Sequence, residues 1–175
     1  MMSKRMTTER ALTATPLLRR ARADDVLVYF EWTNDSEVRR NSFSARAISL
    51  DEHQNWFSRK LGSPDAVMLV LEADSRPLGQ IRFDVDGRIA IIGFSLSSAA
   101  RGKGLGSYLL REGMSLLRDS HPDVLTVRGL VKADNTPSQR TFVAAGFRCV
   151  SKSSESDVTT LVYETTLEHP GPSNA

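Results

Sequence analysis

The stretch RGKGLG at residues 101–106 constrains the fold most, because it places three glycines directly before a leucine-rich segment with helical spacing. Glycine lowers helix propensity by about 1 kcal/mol relative to alanine, so the glycines do not serve the stability of that helix. A backbone without Cβ atoms lets another group approach closely. The stretch therefore predicts a strand-to-helix turn at which a ligand contacts the main chain.

The order of the predicted elements indicates a mixed sheet with helices on both faces. Hydrophobic periodicity and turn residues predict a strand, two helices, three strands, a helix, a strand, a helix and two final strands. The three consecutive strands read as an antiparallel meander, and the last two read as a hairpin. This order is typical of an α+β domain of three layers whose central sheet is mixed but mostly antiparallel.

Capping residues predict where the helices begin. Asp24 is placed to cap a first helix that ends near residue 32, and residues 33–43 have the composition of a loop. Ser49 and Glu52 form a capping box for the second helix. Thr136, followed by a proline, is the predicted N-cap of the last helix.

The length of 175 residues predicts one domain, at residues 16–168. A chain of this size buries about 70% of its unfolded surface and needs no disulfide or metal to hold it together. Residues 1–15 and 169–175 are predicted to be flexible or disordered tails. The single cysteine, Cys149, has apolar neighbours that favour a small core residue.

The charge pattern and the lengths of the apolar runs exclude several classes of partner. The formal net charge is +2, with cations and anions interspersed, so we expect no nucleic acid to bind. No run approaches 18 apolar residues, and the first 15 residues lack the apolar region of a secretory signal, so we expect no membrane association. These features favour a cytoplasmic protein, and they are compatible with a homodimer.

Three phosphate-binding motifs compete for the glycine-rich stretch. The spacing of a Walker loop is absent, and a dinucleotide fingerprint would need one more residue between the last two glycines. The pattern Arg/Gln-x-x-Gly-x-Gly/Ala is matched by Arg101, Gly104 and Gly106. Its successive backbone N–H groups form a concave site for an anion at a helix N-terminus. The alternative is a flexible connector that binds nothing.

A second motif makes a family resemblance specific. The segment NTPSQRTFVAAGF at residues 135–147 lies about 30 residues after the glycines. Together the two motifs resemble the GNAT family of N-acetyltransferases, over residues 17–167. The resemblance implies acetyl-CoA as co-substrate, no metal, and contacts to the donor from Leu96, Arg101, Gly102, Lys103, Gly104, Leu105, Gly106, Ser107, Asn135, Ser138 and Phe142.

The N-terminal half is similar to acetyltransferases of the pseudaminic-acid pathway, which acetylate a UDP-linked 4-amino-4,6-dideoxy sugar for surface glycans. The resemblance implies the 4-amino group of such a sugar as the acceptor. A protein N-terminus or another small amine is the alternative acceptor, because relatives that act on ribosomal proteins share part of the pattern. A non-catalytic acyl-CoA-binding module is a further alternative.

The predicted reaction is direct attack of an amine on a thioester carbonyl, which needs a neutral amine and an aligned carbonyl. The resemblance implies that the backbone of the fourth strand near Ser95 aligns the thioester carbonyl. Phe142 and Ile91 stand where relatives often have a tyrosine acid and a glutamate base. Asp84 and Tyr108 are the remaining candidates for proton transfer.

A diphosphate on the acceptor would need cations or N–H donors. His53, Arg39, Arg40 and Arg82 are the predicted acceptor-binding residues, since arginine forks match phosphate oxygens. The alternative for His53 is a packed histidine whose hydrogen bonds are satisfied inside the core. The three histidines and one cysteine show no metal-site spacing.

Overall fold

The computed structural model describes residues 14–155 and 158–168. The predicted tails therefore lie almost entirely outside the described residues. The strands in the described part are β1 (Leu17–Arg20), β2 (Ala66–Ala73), β3 (Arg76–Asp86), β4 (Ile89–Leu96), β5 (Thr126–Lys132), β6 (Arg148–Glu155) and β7 (Val158–Thr166). The helices are α1 (Val26–Asn34), α2 (Ser36–Asn41), α3 (Leu50–Leu61), α4 (Leu105–Ser120) and α5 (Thr136–Ala144).

The seven strands form one sheet in the order β1-β2-β3-β4-β5-β7-β6. All neighbouring pairs are antiparallel except β4 and β5, which are parallel. The meander of β2, β3 and β4 and the hairpin of β6 and β7 confirm the predicted arrangement. A mixed, mostly antiparallel sheet in an α+β domain is therefore the observed fold class.

Two apolar cores lie on opposite faces of the sheet. Along β2, Val67 and Leu69 point into the larger core with Leu109 and Leu117 of α4. The alternate β2 residues, Met68 and Val70, belong to the smaller core, which contains Tyr29, Trp32 and Phe57 from α1 and α3. Because successive side chains of β2 point to opposite faces of the sheet, helices pack on both faces, as the sequence predicted.

β4 and β5 part from each other halfway along their length. Their pairing runs from Ile89 opposite Thr126 to Ile92 opposite Gly129 and goes no further. Residues 93–96 of β4 still pair with β3 on their other side. The edge of β4 that would face β5 is therefore open over its last four residues.

The ring of Phe142 fills the point at which the two strands part. It lies 5.6 Å from the ring of Phe94, and an ideal Cβ atom added to Gly129 would lie 2.3 Å from its Cζ atom. A glycine is required at this position of β5, because any side chain would displace the ring. Phe142 is 2% exposed and also packs against Phe147 and Tyr163.

α2 is a helix within the region that the sequence predicted as a loop. The Oδ1 atom of Asp35 accepts hydrogen bonds from the backbone N–H groups of Glu37 and Val38, at 3.0 and 3.1 Å. None of the residues of α2 is buried, so this helix has no apolar stripe from which it could be predicted. The capping residue Asp35 was the feature of the sequence from which this helix could have been predicted.

Two other predictions of local structure are corrected. Asn135, not Thr136, caps α5, because its Oδ1 atom accepts from the N–H of Ser138 at 3.2 Å. The capping box of Ser49 and Glu52 is confirmed. Cys149 is exposed, so its prediction as a core residue is wrong: β6 lies at the edge of the sheet, where no element among the described residues covers it.

None of the helices within the described residues combines the length and the apolar composition that crossing a membrane requires.

The fit between Phe142 and Gly129 predicts a large effect for one methyl group. Gly129→Ala should lower the free energy of unfolding by about 1–3 kcal/mol, since overpacking displaces the ring. Gly62→Ala is the control, because its Cβ would make only an ordinary contact, 3.5 Å from the carbonyl oxygen of Ser58. Urea denaturation of both variants measures the difference, and equal stabilities would contradict this packing.

Candidate active site

A cavity of about 1100 Å³ opens where β4 and β5 part. Its walls come from α2 and the segment that follows it, from α3, from the middle of β3, from β4 and the end of β5, from the glycine-rich loop and the first turn of α4, and from α5. The cavity brings together residues that are as far apart in sequence as Thr33 and Ala144. It has two sides, which we call the donor side, formed by β4, α4 and α5, and the acceptor side, formed by α2, α3 and β3.

The glycine-rich loop forms one end of the donor side. Gly102 and Gly104 have φ angles of 73° and 74°, and an added Cβ would meet no atom within 4 Å at either position. Gly104 is the N-cap of α4 and provides no side-chain hydrogen bond, so the first N–H groups of this helix lack the usual capping partner. Gly106 lets α4 approach α5 closely, since its added Cβ would lie 2.8 Å from the Cγ2 atom of Thr141.

This loop fits a diphosphate. Leu105, Gly106 and Ser107 line the cavity together with the two glycines that precede them. An open concave surface of N–H groups at a helix N-terminus favours an anion. Lys103 is exposed and does not line the cavity, so its predicted contact with the donor stays a prediction.

The open edge of β4 continues the donor side. Gly93, Phe94, Ser95 and Leu96 line the cavity, and Leu130 faces them from β5. The backbone N–H and C=O groups on this edge have no strand beside them. An extended ligand that carries amide groups can pair with them as a strand would.

The residues predicted from the second motif lie on the opposite wall. Asn135, Ser138 and Phe142 all line the cavity. Asn135 is 8% exposed, and its side chain holds the first turn of α5 through the bond to Ser138. Phe142 has no hydroxyl to donate, so at this position it supplies shape and not a proton.

Arg101 links the two sides of the cavity. Its Nη2 atom lies 2.7 Å from Oδ1 of Asp35, its Nη1 atom donates to Oε2 of Glu37 at 2.9 Å, and its Nε atom donates to the carbonyl oxygen of Leu96. Burial raises the pKa of Asp35, but the hydrogen bonds from Arg101 and from the backbone outweigh it and hold that pKa below the usual range. The guanidinium thus ties α2 to the donor loop. Arg101 also lines the cavity, so its predicted contact with the donor stays a prediction.

Of the three predicted catalytic residues, only Ser95 lines the cavity. The carboxylate of Asp84 is bound by Lys60 at 2.5 Å and by Arg82 at 3.2 Å. Tyr108 donates its hydroxyl hydrogen to the carbonyl oxygen of Pro16 at 2.8 Å. Proton transfer by Asp84 or Tyr108 is therefore not supported, because neither side chain reaches the cavity.

The predicted acceptor-binding residues separate into two groups. Arg39 and Arg82 line the cavity. Arg40 is exposed and does not line it, and its backbone carbonyl oxygen accepts a hydrogen bond from Nζ of Lys132 at 2.8 Å. His53 borders the cavity but is 1% exposed.

The environment of His53 is that of a packed side chain. Its Nε2 atom lies 3.1 Å from the carbonyl oxygen of Val26, and its ring contacts Phe30, Trp56 and Phe57. Burial lowers the pKa of His53, and this outweighs the raising effect of the bond to Val26. A neutral ring with an occupied nitrogen is a poor ligand for a diphosphate, so we assign His53 to packing.

One polar residue of the site was missed in the sequence. Gln80 of β3 is 9% exposed and lines the cavity beside Ser95. The only signal was a glutamine within a largely apolar strand, and such a residue gives no indication of which face it occupies. In the described part of the chain, no group of three or more His, Cys, Asp or Glu side chains is arranged to hold a metal ion.

Comparisons with known proteins agree with this architecture. A family model described as "Acetyltransferase (GNAT) domain" matches residues 17–148. No curated protein sequence matches the chain. Many solved structures resemble it, and the three described next share at most 20% sequence identity with it.

Three of these structures illustrate the likeness. An aminoglycoside acetyltransferase, AAC(6')-Ib, in complex with coenzyme A and kanamycin superposes with a TM-score of 0.73 at 20% identity, covering 87% of this chain and 95% of that chain. The spermidine N-acetyltransferase from Vibrio cholerae, in complex with CoA and spermine, has a TM-score of 0.78 at 14% identity, with the same coverages of 87% and 95%. A GNAT-family acetyltransferase from Streptococcus pneumoniae has a TM-score of 0.68 at 14% identity, covering 87% of this chain and 99% of that chain.

Two matched glycine substitutions can separate an effect on ligand affinity from an effect on stability. Gly104→Val should raise the dissociation constant of coenzyme A at least about ten-fold, because a branched Cβ enters the open cradle. It should also cost about 1–2 kcal/mol of stability from the left-handed backbone. Gly87→Val is the matched control, since Gly87 has a φ of 56° and open space but lies in the β3–β4 turn. Calorimetry that finds the same affinity in both variants would place the ligand elsewhere.

The burial of His53 predicts how stability depends on pH. Its pKa is lower in the folded protein than the ordinary value of 6.5, so the unfolded chain binds more protons between the two values. Stability should therefore be complete above about pH 6.5 and fall as the pH drops below it, by at most about 1.4 kcal/mol per pH unit. His53→Gln should flatten this part of the profile, as measured by urea denaturation at pH 7.5 and 5.5. Identical profiles for both proteins would show that the ring is not the source.

Proposed function

The chain belongs to the GNAT acetyltransferase family and is an acetyl-CoA-dependent N-acetyltransferase, and we propose that its acceptor is a small primary amine that carries a negatively charged group. The specific candidate is the 4-amino group of a UDP-linked 4-amino-4,6-dideoxy sugar, which the resemblance of the N-terminal half implies. The observation that carries the proposal is the excess of positive charge on the acceptor side of the cavity.

The donor side has the features that acetyl-CoA requires. The N–H groups of residues 102–107 are placed to hold the diphosphate, and the open edge of β4 is placed to pair with the amide groups of the pantetheine arm. This arrangement would leave the thioester near Ser95 and Leu96, at the border with the acceptor side. An amine that enters past α2 and α3 can then reach the carbonyl carbon.

Arg39 provides an uncompensated positive charge on the acceptor side. Within the described residues its guanidinium donates only to neutral oxygen atoms, namely Ser42 Oγ at 3.0 Å and the carbonyl oxygens of Ser44 and Arg46 at 3.3 and 3.1 Å. Its Nε atom is buried and has no hydrogen-bond partner. Burial lowers the pKa of Arg39, and no carboxylate offsets this effect. A half-buried cation of this kind favours an anionic ligand.

Arg82 adds a second site of net positive charge. It shares the carboxylate of Asp84 with Lys60, so two cations face one anion. Its guanidinium lies over Gly93 of β4 and 5.4 Å from the ring centre of Trp56. Arginine in this position can bind phosphate or carboxylate oxygens and still keep its contact with Asp84.

The acidic residues that line the cavity are already engaged. Glu37 is paired with Arg101, and Glu52 is paired with Arg46. A polycation such as the kanamycin or spermine of the structural neighbours would therefore find Arg39 without a carboxylate partner, Arg82 sharing one carboxylate with Lys60, and only paired carboxylates on the acceptor side. This contrast favours an anionic amine over an aminoglycoside or a polyamine.

Turnover of acetyl-CoA with a panel of amines tests the proposal. The panel contains a UDP-linked 4-amino-4,6-dideoxy sugar, glutamate, a dipeptide whose C-terminus is amidated and carries no negative charge, kanamycin and spermidine. We expect the highest kcat/KM for an anionic amine, with the nucleotide sugar first, and we expect UDP to compete with the acceptor and not with acetyl-CoA. A preference for kanamycin, spermidine or the dipeptide would contradict the proposal.

Arg39 provides the variant that checks the cause. Arg39→Gln should lower kcat/KM for the anionic amine by about ten-fold or more, because a charge-assisted hydrogen bond is worth about 1.5–3 kcal/mol. Arg39→Lys should recover part of the loss, and the KM of acetyl-CoA should change little. Arg59→Gln is the control, since Arg59 lies exposed on α3 outside the cavity.

A further inference from the structure

We infer that the side-chain amide of Gln80 binds the attacking amine nitrogen of the acceptor and orients it toward the thioester. Gln80 lines the cavity, although it is 9% exposed. Its Nε2 atom donates to Oγ of Ser95 at 3.2 Å. Its Oε1 atom is buried and accepts no hydrogen bond within the described residues.

The unpartnered oxygen points to a ligand. A buried carbonyl oxygen without a donor is destabilising, and a folded protein rarely keeps one without a reason. While Nε2 donates to Ser95, no protein donor within the described residues reaches the oxygen. A donor from a bound molecule would satisfy it.

The register of the sheet places this oxygen at the correct end of the cavity. Gln80 is opposite Ser95, and Arg82 is opposite Gly93, across the pairing of β3 with β4. Gln80 therefore lies level with the part of β4 whose far edge is open and where the thioester is expected, one strand away from that edge. Arg82 is two residues away on the same face of β3, about 7 Å along the strand. An acceptor whose anionic group lies near Arg82 can thus place its amine near Gln80, and this spatial argument rests on the proposed function.

The chemistry requires an acceptor of hydrogen bonds and not a base. In its neutral form the amine donates one N–H to Oε1 of Gln80, which leaves the nitrogen lone pair free for the carbonyl carbon. The new C–N bond forms as the C–S bond breaks, the nitrogen loses one proton to water, and the thiolate of CoA takes one proton from water. Gln80 stays neutral throughout, which is consistent with Ile91 in place of a glutamate and with the engagement of Asp84 by Lys60.

Hydroxylamine is the probe that tests this role without depending on the natural acceptor. It is a small nucleophile with an N–H donor and no anionic group, and its product with acetyl-CoA, acetohydroxamate, is measured as a coloured iron complex. We expect Gln80→Leu to lower the enzymatic rate by about ten-fold or more, because the hydrogen bond that the amine donates to Gln80 in the transition state is lost. The KM of acetyl-CoA and the urea midpoint should change little. Gln54→Leu, at an exposed position of α3, should match the unaltered protein.

A glutamate at this position separates binding of the amine from a purely structural role. Gln80→Glu keeps an oxygen that accepts hydrogen bonds, and the acceptor becomes stronger when the carboxyl group ionises. The ratio of the rates of Gln80→Glu and Gln80→Leu should therefore rise with pH, and ionisation of the hydroxylamine cancels in this ratio.

The inference is overturned if Gln80→Leu forms acetohydroxamate as fast as the unaltered protein, whether both are fast or both are no faster than the uncatalysed reaction. It is also overturned if the rate ratio does not depend on pH, because Gln80 would then only support the packing of β3. Failure of the nucleotide sugar in the amine panel would leave both of these results unchanged, so the two proposals fail separately.

Discussion

The contact between the ring of Phe142 and the backbone of Gly129 controls the architecture of this site. A parallel pair of strands normally continues its hydrogen bonds along the shared length. Here the ring occupies the space at the end of the pairing, and Gly129 is the residue small enough to accept it. Within the described residues, the separation leaves β4 without a neighbouring strand on one edge over residues 93–96, and it creates the cavity.

The two sides of the cavity depend on each other through Arg101. The guanidinium reaches from the loop after β4 to Asp35 and Glu37 at the start of α2. α2 has no buried residues of its own, so this ion pair and the cap of Asp35 determine its position. Because α2 also carries Arg39, the loop that would hold the donor's diphosphate is mechanically linked to the residue that would hold an anionic acceptor. Partly buried ion pairs of this kind are more valuable for fixing geometry than for stability.

The fold could be predicted from the sequence because the elements that build the sheet have strong periodicity. α3 and α4 carry clear apolar stripes, and the meander and hairpin have clear turn residues. The glycine-rich loop and Asn135 could be placed in the donor site because their role depends on the backbone and on local capping. α2 could not be predicted, since a short exposed helix has no apolar period.

Individual side-chain roles were harder to predict, because they depend on partners distant in sequence. Asp84 and Tyr108 lie on the expected elements, but Lys60 binds the first and the carbonyl of Pro16 accepts from the second. The packing of His53 depends on the distant carbonyl of Val26, and Arg101 is engaged by the carboxylates of Asp35 and Glu37. Gln80 was missed because a single polar residue in a strand carries no positional pattern. A cytoplasmic location and a homodimer stay predictions.

Hydrogen exchange with and without coenzyme A tests most directly whether the parted strands and the glycine-rich loop seat the donor. Bound ligand should slow the exchange of the backbone amides of residues 102–107 and of the open edge of β4 at residues 93–96. Amides in the β3–β4 turn, on the far end of the same strands, should exchange at an unchanged rate. Protection in both predicted segments would support the account. Coenzyme A binding that leaves both segments unprotected would contradict it.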